Sequence, residues 1–243
     1  MKFEESQVFN IQGALRGMRN PLSSWKHIDS VFGIADYRTI DETLESVYPE
    51  GEDITFSSWE NNIIFNEDSN IADFGVIGPK DLNLAQRLIK AGPEHRKFMR
   101  QIFVSVDITA PLYWWKETDT YKISTVANST STMHKLASFP ITLECFEIDD
   151  YDEEIEGEYM LSIVDKCEKL RLKYIETQDK RYWKALIRLL PESWLQKRTW
   201  TANYEVLRNM YFQRHFHKLS EWNAFATWVE SLPYAKELIL YNG

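Results

Sequence analysis

Two cysteines in 243 residues, Cys145 and Cys167, are too few and too far apart for a disulfide framework or a zinc knuckle. No apolar run is long enough to span a bilayer, and the opening Met1-Lys2-Phe3-Glu4-Glu5 lacks the hydrophobic core of a secretion signal. The expectation is a reducing, cytoplasmic setting with no membrane attachment. Basic charge is scarce: 28 Lys and Arg against 37 Asp and Glu leave a net charge of −9. That balance argues against broad nucleic-acid or anionic-membrane binding, which needs a basic face. It leaves open a small anionic ligand held in a local basic pocket. Also missing are a glycine-rich phosphate loop, a dinucleotide fingerprint, a zinc-protease helix pair and a nucleophile elbow. His215-Phe216-His217 places two imidazoles together with no third ligand at metal spacing, so no metal is expected. Neither an internal repeat nor a flexible linker appears, and a single domain is expected.

What is present reads as alternating short elements. Residues 7–18 mix apolar residues with Arg16, Arg19 follows, and Asn20-Pro21 punctuates. Ile40 to Val47 resembles a short helix, Ile54 to Phe56 and Asn62 to Phe65 resemble strands, and Asn66 to Ala72 an exposed turn. Leu82 to Ala91 predicts a helix closed by Gly92. Arg100 to Ala110 is the clearest strand, with Ile102, Val104, Val106 and Ile108 on one face and Phe103, Ser105, Asp107 and Thr109 on the other. Pro111 ends it. The aromatic area of Tyr113, Trp114 and Trp115 is expected in the core or a subunit contact.

The stretch Thr120 to Lys135 is rich in Ser and Thr, residues that favour capped turns but also suit a loop wrapping a polar ligand. Phe139 to Phe146 predicts a second strand, and the acidic run Glu147 to Glu158 a solvated loop. Met160 to Tyr174 and Arg181 to Leu190 predict helices, the latter stopped by Pro191, and Glu221 to Leu240 is helical with Pro233 interrupting it.

Leu190 to Trp222 reads as a Pro-started approach followed by one long helix. Lys197-Arg198 puts two cations just ahead of it. Asn203 suits its N-cap, and Leu207 and Met210 run along its apolar line. Arg214 falls on that same line. A guanidinium there needs an anionic or carbonyl partner, supplied either by the protein or by a ligand's phosphate or carboxylate.

With these segments in view, the chain resembles the flavin-dependent thymidylate synthases, the ThyX family. Leu190-Pro191, Trp200-Thr201, Asn203, Leu207, Asn209, Arg214 and Trp222 stand in the order of that family's late active-site helix, and Phe103 to Pro111 resembles its alternating strand ending in Ala-Pro. The resemblance implies an α+β fold, an antiparallel sheet packed with long helices, and a homotetramer. It implies Arg214 and Lys197 at a dUMP-like pyrimidine nucleotide, with Lys122 and Thr130 from the signature loop. Asn203, Asn209, Tyr121 and Gln101 would lie at the FAD.

The family's signature is Arg-His-Arg-x-x-Ser-x-Asn-Glu-x-Ser-x-Arg. Here Thr120, Tyr121 and Lys122 take its first three positions, Thr125 the first serine, Ala127 the asparagine and Asn128 the glutamate. Thr130 takes the second serine and Thr132 the last arginine. Each lost charged contact removes about 1.5–3 kcal/mol, so FAD binding is expected to be weakened or lost. The resemblance implies dUMP methylation with FAD, NADPH and methylene-tetrahydrofolate. The alternative is a non-catalytic nucleotide-binding or sequestering protein on the same scaffold. A partner-binding oligomer using exposed aromatics is a third reading.

Overall fold

The computed structural model describes residues 1–48 and 71–243. The elements run β1 (Lys2–Phe9), α1 (Ile11–Met18), β2 (Val31–Asp36), α2 (Tyr37–Val47), β3 (Ile71–Val76) and α3 (Pro79–Ala91). Next come β4 (Phe103–Pro111), α4 (Leu112–Thr118), β5 (Val126–Ser129), α5 (Thr132–Lys135), α6 (Glu153–Thr177) and α7 (Lys180–Leu189). The chain ends with β6 (Leu195–Asn203), α8 (Tyr204–Arg214), α9 (Ser220–Glu230) and a wide helical turn, Ala235–Ile239. A four-stranded sheet has the order β1-β4-β6-β5, and β2 pairs antiparallel with β3, Val31 opposite Val76. The strands expected at 54–56 and 62–65 lie outside the described residues. So does most of the expected turn at 66–72, whose last two residues open β3.

Contacts group the chain into two compact units. The first comprises residues 1–4, 107–122 and 127–200. Its core gathers Leu136, Ile141, Phe146, Met160, Ile163, Cys167 and Leu186 between α6 and α7. Asp152 caps α6 by accepting from the amides of Glu154 and Ile155. The acidic run therefore is not all loop: its last six residues form the first turns of α6, where negative charge suits the helix N-terminus. Trp114 and Trp115 are fully buried with their rings edge to face at 4.9 Å, so their area goes into the core.

Phe139 to Phe146 does not form the expected strand. Phe139 is 72% exposed, Pro140 has no amide to donate, and the Ile141 amide donates to Glu168 Oε2 at 2.9 Å instead of to a ladder. Leu143–Cys145 is a single tight turn, and only Phe146 pairs, opposite Trp194.

The second unit comprises residues 5–106, 123–126 and 201–243. Its helices α1, α3, α8 and α9 pack around the short helix Arg96–Gln101 and the C-terminal turn. Ile102, Val104 and Val106 of the alternating strand are buried, and Phe103 is half exposed, as the period of two predicts. Arg100 belongs to the short helix rather than to the strand.

The Pro-started approach is a strand, β6, and the one long helix expected after the Asn203 cap is an eleven-residue helix, α8, with a break before α9. Asn203 caps α8, its Oδ1 accepting from the Val206 amide at 3.0 Å. Tyr204, Leu207, Arg208 and Tyr211 face inward at helical spacing. The buried guanidinium of this helix therefore belongs to Arg208, which donates to the carbonyls of Ile239 and Tyr241, each at 2.6 Å.

Candidate anion-binding site

The residues singled out by sequence divide between the units. In the first unit, Lys197 Nζ lies 3.1 Å from Asp107 and 3.2 Å from Glu4. A hydrogen bond from Thr199 Oγ1 and the nearby Lys197 ammonium hold the Asp107 carboxyl below its ordinary range. Arg198 sits beside it on β6, 4.2 Å over the Trp115 ring and 2.8 Å from Asp119 Oδ1. Both cations expected to greet a phosphate are thus engaged by carboxylates. Thr130 joins β6 through its amide, which donates to the Lys197 carbonyl at 2.9 Å. Thr130 and Lys122 are exposed, and Tyr121 is half-buried. The Ser/Thr-rich stretch is an exposed edge strand followed by one turn of helix that Ser131 caps.

In the second unit, Asn203 is buried as the cap, Asn209 is exposed, and Arg214 lies 5.0 Å over the Trp222 ring. His215 stacks on Tyr211 at 4.9 Å, and His217 Nδ1 accepts from the Leu219 amide, so both imidazoles serve local contacts. Among the described residues no group of three His, Cys, Asp or Glu could hold a metal.

Of the predicted residues, Gln101 lines an open cleft of about 1210 Å³ within the second unit. Three segments wall it: residues 17–27, one face of α3, and residues 94–101. On α3 the lining positions are Lys80, Asn83, Leu84, Arg87 and Leu88, while Asp81, Ala85 and Ile89 point into the core. Lys80, Arg87, Lys97, Arg100 and Arg19 bring positive charge to the walls, and Glu94 is the carboxylate there. Among the described residues the first four form no ion pair, unlike Lys197 and Arg198. Met18, Leu84, Leu88 and Phe98 supply apolar surface.

Arg19 is held at the base of this arrangement by Asp81. Its Nε donates to Asp81 Oδ1 at 2.6 Å, with the two residues 5% and 0% exposed. The other oxygen, Oδ2, accepts from Ser30 Oγ at 2.6 Å and from the amides of Ser30 and Asp29 at 3.1 and 3.2 Å. Asp29 in turn accepts from the amides of Lys80 and Asp81, closing the N-terminus of α3. A Cβ at Gly78 would come within 2.4 Å of Asp29, so this crossing requires glycine. Arg19 Nη2, though buried, has no hydrogen-bond partner among the described residues. Leaving such a donor unsatisfied costs about 1–3 kcal/mol, more for a charged group.

Sequence reasoning missed this site. Its one available signal was the spacing Lys80, Asn83, Arg87, a polar stripe with two cations along α3.

No family model matches the chain, and no curated protein does. Solved structures do. The flavin-dependent thymidylate synthase ThyX of Helicobacter pylori, complexed with FAD and dUMP, superimposes with a TM-score of 0.61 at 14% identity. That match covers 99% of this chain and 98% of that one. A second structure of Helicobacter pylori Thymidylate Synthase X with FAD and dUMP gives 0.53 at 15% identity, over 87% and 96% of the two chains. Identity at this level speaks to architecture alone, and on that evidence the chain has a ThyX-like fold of helices and antiparallel sheet.

Proposed function

We propose that this chain binds a pyrimidine deoxynucleotide of the dUMP type on a ThyX-like scaffold and holds flavin weakly or not at all. The observation that carries the reading is likeness along 99% of the chain to a protein complexed with FAD and dUMP. The unpaired cations around the cleft give an acidic chain the local basic surface that a nucleotide phosphate needs.

The residues present fit flavin poorly. The loop at 120–132 carries no arginine, and its Lys122 is exposed. Lys197 is engaged by Asp107 and Glu4, and Asn203 spends its Oδ1 on the helix cap. No step is therefore derived through that cofactor. The second reading is the family's reaction, methylation of dUMP with FAD, NADPH and methylene-tetrahydrofolate in a homotetramer. The fold and the retained Arg214 favour it.

Titration separates the two. The first reading expects colourless protein that binds dUMP by calorimetry and gains no flavin absorbance on adding FAD. Stoichiometric FAD uptake would transfer the case to the enzyme. Absence of dUMP binding in both the presence and the absence of FAD would remove the nucleotide altogether. Sedimentation velocity tests the tetramer.

A further inference from the structure

We propose that Asn242 is a site of spontaneous deamidation promoted by the Arg208 guanidinium, and that the resulting carboxylate tightens the hold of Arg208 on residues 239–242. The inference involves neither nucleotide nor flavin, so its failure would leave the proposed function untouched.

Asn242-Gly243 is the one Asn-Gly pair in the sequence. Both residues are exposed, so water reaches them. Gly243 stands at φ +94° and presents no Cβ to block its nitrogen from approaching the asparagine side chain. Its amide donates to no acceptor among the described residues, which leaves that nitrogen available.

Arg208 distinguishes this pair from the same dipeptide in a loose chain. Its Nη1 donates to the carbonyls of Ile239 and Tyr241, each at 2.6 Å, and the guanidinium lies 4.7 Å over the Phe212 ring. Held in this way, the fork aims Nη2 at Asn242 Oδ1, 3.4 Å away. That contact is long for an amide at rest and strengthens as negative charge builds on the oxygen.

In the reaction the Gly243 nitrogen attacks Asn242 Cγ and the new Cγ–N bond forms. Oδ1 carries the charge of the tetrahedral intermediate, where Nη2 stabilises it. The Cγ–Nδ2 bond then breaks, and Nδ2 leaves as ammonia with the proton that Gly243 gives up. Water opens the five-membered imide to aspartate or isoaspartate. No oxidant, reductant or cofactor enters the balance.

The new carboxylate supplies charge that the surroundings leave short. Burial, and secondarily Arg96, pull the Arg208 guanidinium below its ordinary range, while Glu205 opposes them. Glu205 is itself engaged by Arg96 Nε at 2.9 Å.

The test incubates the full-length protein at neutral pH, native and in urea above its unfolding transition, and follows conversion of amide to acid by peptide mass mapping. Native protein should convert Asn242 roughly tenfold faster than unfolded protein, the worth of one charged contact in the transition state. Asn128, exposed and with no side-chain hydrogen bond among the described residues, is the reference and should convert no faster in the native state. Arg208→Lys keeps a charge but loses the second arm of the fork, and should slow Asn242 to its unfolded rate. The urea comparison carries the test should that variant not fold. Asn242→Asp installs the product directly and should raise the melting temperature by about 2 °C. Conversion of Asn242 as fast in urea as in native protein would overturn the proposal, and so would an Asn242→Asp variant that melts at or below the parent.

Discussion

Replacing Asp81 by alanine removes the carboxylate that compensates the buried Arg19 guanidinium. Both side chains are almost wholly out of water, at 0% and 5% exposure. Truncating one partner of such a pair costs about 3–5 kcal/mol, because the remaining charge stays buried without its counterpart. The same change strips acceptors from the Asp29 and Ser30 amides and from Ser30 Oγ, but these residues are half-buried and water can replace part of what is lost. We expect a loss of roughly 4 kcal/mol, a large share of the 5–15 kcal/mol that holds an ordinary fold together. At about 2–4 °C per kcal/mol for a chain of this size, the melting temperature should fall by roughly 8–16 °C.

Urea unfolding followed by tryptophan fluorescence measures the first quantity, and scanning calorimetry the second. The double variant Arg19→Met with Asp81→Leu removes both charges and should be less damaged than Asp81→Ala alone, despite carrying more substitutions. A loss below about 1 kcal/mol in Asp81→Ala is what a solvated surface pair gives. That result would refute the idea of a rigid, dehydrated anchor.

Acid should act on the α6–α7 unit through Glu168. The Arg171 guanidinium, and secondarily the Ile141 amide, hold its carboxyl below the ordinary glutamate range despite burial, so its stabilising contribution is complete above the unfolded value near pH 4.3 and is lost as pH falls through the lower folded value. Glu168→Gln should flatten that part of the stability–pH curve, as read by urea melts at successive pH values. Cys167 is fully buried and its thiol is pushed up to about 11, so alkylation at pH 8 should label half-buried Cys145 and spare Cys167 until the protein unfolds. Equal labelling rates by mass spectrometry would contradict the packing of α6 on α7. Asn203→Ala should cost about 1 kcal/mol through loss of the α8 cap, while Asn203→Asp should restore most of it; equal urea midpoints for the two variants would speak against capping as the role of this side chain.

Where a residue's neighbours along the chain set its conformation, the sequence was sufficient. Alternation from Ile102 to Ile108 marks a strand with one buried face, Gly92 closes α3, and Asn203 offers an oxygen to the first turn of α8. Local pattern also called for a guanidinium with carbonyl or anionic partners on the helix after Asn203, but it singled out Arg214, and the buried one is Arg208. The two lie on different faces of that helix, and the position of the C-terminal carbonyls made Arg208 the buried one. Phe139 to Phe146 has strand-like composition, yet the side chain of Glu168, 27 residues on from Ile141, took the amide a ladder needs.

The cleft is the strongest case of this kind. Arg19 and Asp81 stand 62 residues apart, and neither is unusual in its own surroundings. Net charge could say that any basic surface on this acidic chain had to be local. Only the convergence of three separated segments determined where it is, because burial of a guanidinium beside one saturated carboxylate is a property of packing and leaves no periodic trace in the sequence.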